Sequence, residues 1–316
     1  MRALFFTVIL FLTLQSAPLP DTLAKDVYLA TVNAAIVFTS QDGLSSGIYH
    51  FTKVNVDMRM YNLPLTYQFD PLSENTNLFM VFDLAYSDTR NSAEIQNIDP
   101  ATLPSDPILH VDNRLQSYIG GIGGGLRYRL SEHSDFSLGG EILYSRVGIA
   151  VRAGDSLNGS DIKNFFKDDF SENFTYKLFA QYDYHRLYKG YKTYFTLNYK
   201  LYKTLSALNL VDLVGDVVSL NSQTYVTSLH LGMETAPLYR YGNMNLTLEP
   251  FLKANYIGGD LAAVTKMRTY GTAGFAMYWN TPQKRAYIYR YFIEPSLSRG
   301  EGLEGYNMSL GFSLDF

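Results

Sequence analysis

Cysteine is absent from the chain, so neither a disulfide scaffold nor a thiolate metal site is available, and no lipid-modified cysteine follows the leader. A basic excess is also missing. Lys and Arg number 26 against 30 Asp and Glu, for a formal charge of -4, and a nucleic-acid partner would need a basic stripe to neutralise phosphate. Apolar runs are scarce as well. The mean hydropathy of -0.08 excludes a bundle of membrane-spanning helices. Tryptophan occurs 1 time, yet Tyr occurs 26 times and Phe 20 times, an excess of rings that favour a boundary between water and apolar surroundings.

The N-terminus reads as an export signal. Arg2 forms a short positive region, and Ala3 to Leu14 is an apolar run too short to span a bilayer comfortably. Cleavage is expected after Ala17 or Ala24, leaving residues 25–316 as a single domain. The other end is a strand. In LEGYNMSLGFSLDF, Tyr306, Met308, Leu310, Phe312, Leu314 and Phe316 make one face, while Asn307, Ser309, Gly311, Ser313 and Asp315 make the other. A period of two with one apolar and one small polar face suits a wall between hydrocarbon and a polar lumen. It resembles the closing strand of bacterial outer-membrane barrels, which implies that Phe312 and Phe316 belong to the signal read by the barrel-assembly machinery.

Alternating segments fill the rest of the chain with no break in composition. The segments begin with Val27 to Thr39 and Lys53 to Phe69, and Asn77 to Ser87 follows the turn Pro71 to Asn75. Leu115 to Leu130 pairs with Phe136 to Val151, and Phe174 to His185 with Tyr191 to Tyr202. Thr224 to Glu234, Met244 to Tyr256, Arg268 to Trp279 and Arg285 to Ser298 lead to the closing strand. The reading is all-β: a transmembrane antiparallel up-and-down barrel of about twelve strands, each at least the ~9–11 residues that a tilted crossing needs. A soluble sandwich would need shorter strands with buried inner faces. The even count favours a strand at Val27–Thr39 over a helix threaded through the lumen. Long polar stretches, Asp88–Asn113, Arg152–Glu172 and Lys203–Ser222, read as outer loops, and both termini are then expected in the periplasm.

The polar face supplies the expected lumen lining. It comprises Asp57 and Arg59 near the start, then Arg127, Arg129 and Glu141, and next Lys177, Asp183 and Lys200. Glu234, Glu249, Arg268, Arg290 and Glu294 complete it. The signs are mixed, which suits either pairs that stabilise the interior or a path for small solutes. The glycines in YIGGIGGGLRYRL lack the Lys-Ser/Thr and the following helix of a phosphate loop, so they read as a bend or as space for a bulky neighbour or plug. Of the 5 histidines, His50 and His110 fall near Asp57 and Asp112 at the outer rim, where a rim hydrolase would place them. No hydrolase motif surrounds them, and no His or carboxylate cluster has metal-ligand spacing, so neither catalysis, metal nor cofactor is expected.

Three stretches carry a family resemblance: LQSYIGGIGGGLRYRL, then FSLGGEILYSRV after a turn, and the closing YNMSLGFSLDF. Over Val27 to Phe316 the chain resembles autotransporter translocator barrels, and more closely their solitary, passenger-less relatives. The resemblance implies a Gram-negative outer-membrane barrel, monomeric and without enzymatic activity, with lipid and the assembly machinery as partners. Its expected role is a passive channel or a structural barrel. A rim lipase or protease and a surface-binding adhesin are the alternatives.

Overall fold

A computed structural model describes residues 32–38, 44–96, 108–155, 161–162, 170–209, 217–242, 244–281 and 288–314. The expected leader and both expected cleavage positions, after Ala17 and Ala24, lie outside them.

Residues 32–38 form a helix, α1. The wall runs β1 (Leu44–Phe51), β2 (Val56–Ser73), β3 (Thr76–Gln96), β4 (Ile108–Ser131) and β5 (Ser134–Asp155). A short β6 (Asp161–Ile162) is followed by β7 (Phe170–Tyr188), β8 (Tyr191–Asn209) and β9 (Val217–Glu234). A short β10 (Tyr239–Tyr241) precedes β11 (Met244–Gly259), α2 (Asp260–Thr265), β12 (Thr269–Asn280), β13 (Ile288–Gly300) and β14 (Leu303–Leu314). All pairings are antiparallel, and β1 pairs β14 from Leu44↔Leu310 to His50↔Glu304, so the sheet closes on itself. With β6 and β10 as additions, the closed wall has 12 strands.

Closure leaves the wall without an edge, as a membrane-spanning sheet requires. The expected alternation holds along it. Tyr306, Met308 and Leu310 are exposed while Asn307 and Ser309 are buried, and Ile142 and Tyr144 are exposed while Glu141, Leu143 and Ser145 are buried. Outward tyrosines form a belt with Tyr61–Tyr86 centroids 6.2 Å apart, Tyr86–Tyr118 5.2 Å, Tyr199–Tyr225 6.5 Å and Tyr225–Tyr256 6.2 Å. Rings of this kind gather where hydrocarbon meets water. Toward the opposite end the aromatic residues reappear as Tyr67 with Phe69 and as Tyr182 and Tyr184 with Phe195.

The two ends differ. One carries the tight turns 74–75, 132–133 and 189–190; the other carries 97–107, 156–169 and 210–216 and is the loop end. Several expectations need correction. Residues 32–38 of the proposed first strand are helical, and the first strand is Leu44–Phe51, so the count of twelve survives with a different member. The first connection at the loop end is the tight segment 52–55. The outer loops are shorter than their polarity suggests. β3 continues to Gln96 and pairs residue by residue with β4 out to Ile108, because above the membrane a strand can be polar on both faces.

The glycine run makes room inward. A Cβ on Gly121 would meet the Glu141 carboxylate and Leu143, and one on Gly123 would run into the backbone of Gly140 and Glu141. Backbone cannot swing aside as a side-chain end can. Gly123→Ala is therefore expected to destabilise the barrel by about 1–3 kcal/mol. A lower urea midpoint for loss of the heat-modifiable band would register it; an unchanged midpoint would refute the packing argument.

Candidate functional site

The lumen has two halves of different chemistry. Toward the loop end it is filled. Every residue of α1 is buried, and Val32, Ala35, Ile36 and Phe38 join one apolar cluster with Tyr49 and Phe51 of β1, Met58 and Met60 of β2, and Tyr202 of β8. Phe38 lies 4.7 Å from Tyr49, 5.8 Å from Phe51 and 5.8 Å from Tyr270, centroid to centroid. Leu261 and Ala262 of α2, together with Met267, belong to the same cluster. Burying side chains of this size stabilises by roughly 1.5–3 kcal/mol each.

Hydrogen bonds fix the direction of α1. Asn33 donates to Ser222 Oγ at 2.6 Å and accepts from Thr204 Oγ1 at 3.0 Å. Thr204 and Ser222 are register partners in the loop-side parts of β8 and β9, and Thr204 is bonded in turn to Thr175 at 2.9 Å. At the other end the Phe38 carbonyl accepts from Asn62 Nδ2 at 3.1 Å, and Asn62 also reaches Ser45, near the start of β1. The helix thus enters from the loop end and points into the barrel.

Beneath it lies a buried charge cluster. Lys177 Nζ is 2.6 Å from Glu141 Oε2 and 3.5 Å from Asp83 Oδ2, with side-chain exposures of 7%, 0% and 4%. Inward Gly121 and Gly123 leave the space that Glu141 occupies. Closer to the tight turns the lining is polar, from buried Glu249 and Thr247 to half-buried Tyr194, Tyr278, Glu234 and Arg290. Glu249 accepts from Tyr194 and, at 3.2 Å, from Tyr278. Arg290 lies 3.4 Å from the Tyr278 ring centroid and 2.8 Å from Glu234, which also accepts from Thr247 at 2.6 Å.

Most expected lining residues sit on the inner face. Glu141 and Lys177 meet in the buried cluster. Asp183 accepts from Gln181 at 2.8 Å and Thr196 at 2.7 Å, and Arg127 donates to Ser137 at 3.3 Å. Lys253 reaches Glu294 at 3.7 Å. Arg129 opens toward the turn-end mouth opposite Asp135, and Lys200 lies on the inner face of β8 between Asn198 and Tyr202. Three residues do not fit. Asp57 and Arg59 are exposed on the outer face, because Met58 and Met60 turn inward against α1. Arg268 is exposed in the segment before β12, while Met267 is the buried one. Phe312 pairs with Tyr291, but its side chain and all of Phe316 lie outside the described residues.

Among the described residues, no rim histidine meets a carboxylate inside the lumen. His50 Nδ1 is 2.7 Å from Asp57 Oδ1, but that pair lies on the outer wall; the side chains of His110 and Asp112 lie outside the described residues. His133 stacks edge-on with Tyr184 and His185 at the turn end. Among the described residues no group of three or more His, Asp or Glu is placed to hold a metal ion. At the loop end Lys53 bonds Glu301 at 3.0 Å and the Lys266 carbonyl at 2.9 Å, and its ammonium holds the Glu301 carboxyl below the usual carboxylate range.

No family model matches the sequence, and no curated protein does. Solved structures do. The β-domain of the Bordetella autotransporter BrkA superposes with a TM-score of 0.57 at 8% identity, covering 86% of this chain and 97% of that one. The transport unit of AIDA-I from Escherichia coli gives 0.55 at 9% identity, covering 92% and 99%. The chain has the fold of an autotransporter translocator barrel. The translocator domain of NalP from Neisseria meningitidis agrees, with a TM-score of 0.52 at 14% identity and coverage of 94% and 100%. The translocator-type wall thus accounts for nearly the whole described chain, as the Gly-rich and closing strands imply.

Proposed function

We propose that this translocator-type barrel is an integral protein of the Gram-negative outer membrane, held closed by its own N-terminal helix and acting as a structural barrel without enzymatic activity. The observation that carries the reading is α1, buried on every side within the loop-end half of the lumen. A wall of this circumference is wider than an eight-stranded barrel that side chains alone can fill, so a segment of the chain completes the packing. Membrane placement draws support from the outward apolar band, the tyrosine belt and closure without an edge.

Short turns face the periplasm and long loops the exterior, which puts the C-terminal end of β14 on the periplasmic side. α1 runs from the loop side at Asn33 toward the middle of the barrel at Phe38. The chain acts as a monomer, with the barrel-assembly machinery and outer-membrane lipid as partners. The polar turn-end half forms a vestibule facing the periplasm, which small solutes enter without crossing.

The test is conductance of the refolded chain in a planar bilayer. Correct insertion, read by heat-modifiable mobility, with no stable current steps supports a closed barrel. Stable steps proportional to salt from the unaltered chain would replace it with a passive channel.

A further inference from the structure

The outer face of β1 to β5 carries a groove of about 660 Å³. Leu63 and Leu84 line it, and Tyr61, Tyr86 and Tyr118 border it. It exists because position 120 is glycine. A Cβ there would meet only Leu84, at 3.9 Å, so the wall dips where its neighbours carry large side chains. The belt tyrosines set the depth of the groove, which runs from the hydrocarbon zone up to the interface.

The next outward positions toward the loop end are charged. Asp88 is held by Arg114 at 2.7 and 2.9 Å and by Arg90 at 3.1 Å, and Gln116 donates to the Tyr86 hydroxyl at 2.6 Å. Arg59 is the register partner of Asp88 and is exposed. Arg146, at the loop-end limit of the groove, is exposed opposite Glu172. Four guanidiniums, Arg59, Arg90, Arg114 and Arg146, therefore share this face with three carboxylates, Asp57, Asp88 and Glu172, which leaves it net positive, and Asp88 presents two of the guanidiniums in a fixed arrangement over the tyrosines.

We propose that this face is a binding site for a phosphate-bearing, acylated lipid of the outer leaflet. One acyl chain lies in the groove over Gly120, with one phosphate on the side of Arg59 and Arg114 and a second on the side of Arg146, three strands away from Arg59. Apolar slot, interfacial rings and guanidiniums follow one another in the order in which such a lipid presents chain, backbone and phosphate. Guanidinium is the cation suited to bidentate phosphate contacts. A free anion would have no use for the slot, and a neutral lipid none for the arginines. The inference rests on the outer-membrane placement proposed above.

The probes are diphosphoryl lipid A, its dephosphorylated counterpart and inorganic phosphate, titrated onto the refolded full chain in zwitterionic micelles and read by native mass spectrometry. The wild-type barrel is expected to retain diphosphoryl lipid A. The pair Arg59→Gln with Arg146→Gln is expected to weaken retention by about tenfold or more, since charge-assisted bonds are lost. Gly120→Leu, which fills the slot and leaves the arginines in place, is expected to weaken it comparably. Equal retention of the dephosphorylated lipid, displacement by inorganic phosphate, or unchanged affinity in both variants would overturn the site. Heat-modifiable mobility in neutral lipid reports the membrane reading separately, so failure of insertion and failure of binding are distinguishable.

Discussion

Replacing residues 32–38 with a Gly-Ser segment of equal length is expected to convert a silent barrel into a conducting one. The chain keeps its length and its strands; what is lost is an apolar cylinder together with the Asn33 bonds to Ser222 and Thr204. Once vacated, the loop-end half of the lumen joins the polar vestibule below, where Glu234, Glu249, Asp183 and Arg290 already suit water. The vacated wall itself remains apolar, with Met58, Met60, Val226 and Ile257 facing in. Current steps are therefore expected to be interrupted by brief closures, since an apolar ring wets poorly. Salt-proportional current from the variant against a flat trace from the parent is the expected contrast. Identical traces would mean that α1 does not close the barrel.

Lys177→Ala is expected to have the largest effect on stability of any single side chain. It removes the ammonium that Glu141 and Asp83 share at 2.6 and 3.5 Å, leaving two carboxylates in a place with almost no exposure. Breaking a buried pair in this way costs about 3–5 kcal/mol, because the remaining charges keep their desolvation penalty and lose their compensation. The triple substitution Lys177→Met, Asp83→Asn and Glu141→Gln is expected to recover most of the loss, as it removes the charges together. The temperature at which the compact form is lost on a gel measures both. If the single and triple variants fall equally, the cluster acts through packing and not through charge.

How much of this was legible in the sequence depended on what each face touches. Strands with lipid on one side and a polar lumen on the other were readable, as the closing strand and the β4–β5 and β7–β8 hairpins illustrate. α1 was not, for two reasons. A helix buried all round has no polar stripe to betray its period. Its residues Val32, Ala34, Ile36 and Phe38 also happen to be apolar at every second position. β1 was missed because its first half, Leu44 to Gly47, is largely small and polar and looks like a loop, and only Tyr49 and Phe51 supply the inward bulk that meets α1.

The same helix explains the inverted register of β2. Inward Met58 and Met60 meet α1, so the usual rule of apolar outside and polar inside reverses for that turn of the wall, and Asp57 and Arg59 go outside. Arg59 then became a candidate for the outer lipid site where the sequence had assigned it to the lumen. The buried ionic cluster was half legible. Glu141 and Lys177 lie on the expected face, but only the register Glu141↔Lys177 and Gly123↔Glu141 shows why the glycines precede them.

The most direct test of a helix docked inside the barrel uses the absence of native cysteine. In the double variant Asn33→Cys with Ser222→Cys the only thiols stand where a hydrogen bond of 2.6 Å now joins the side chains. An intramolecular disulfide in the folded, membrane-inserted protein, seen as a mobility shift reversed by reductant, is the expected result. If both thiols stay free and the thiol at position 33 reacts with a membrane-impermeant maleimide, α1 is not held in the lumen and the closed-barrel account fails.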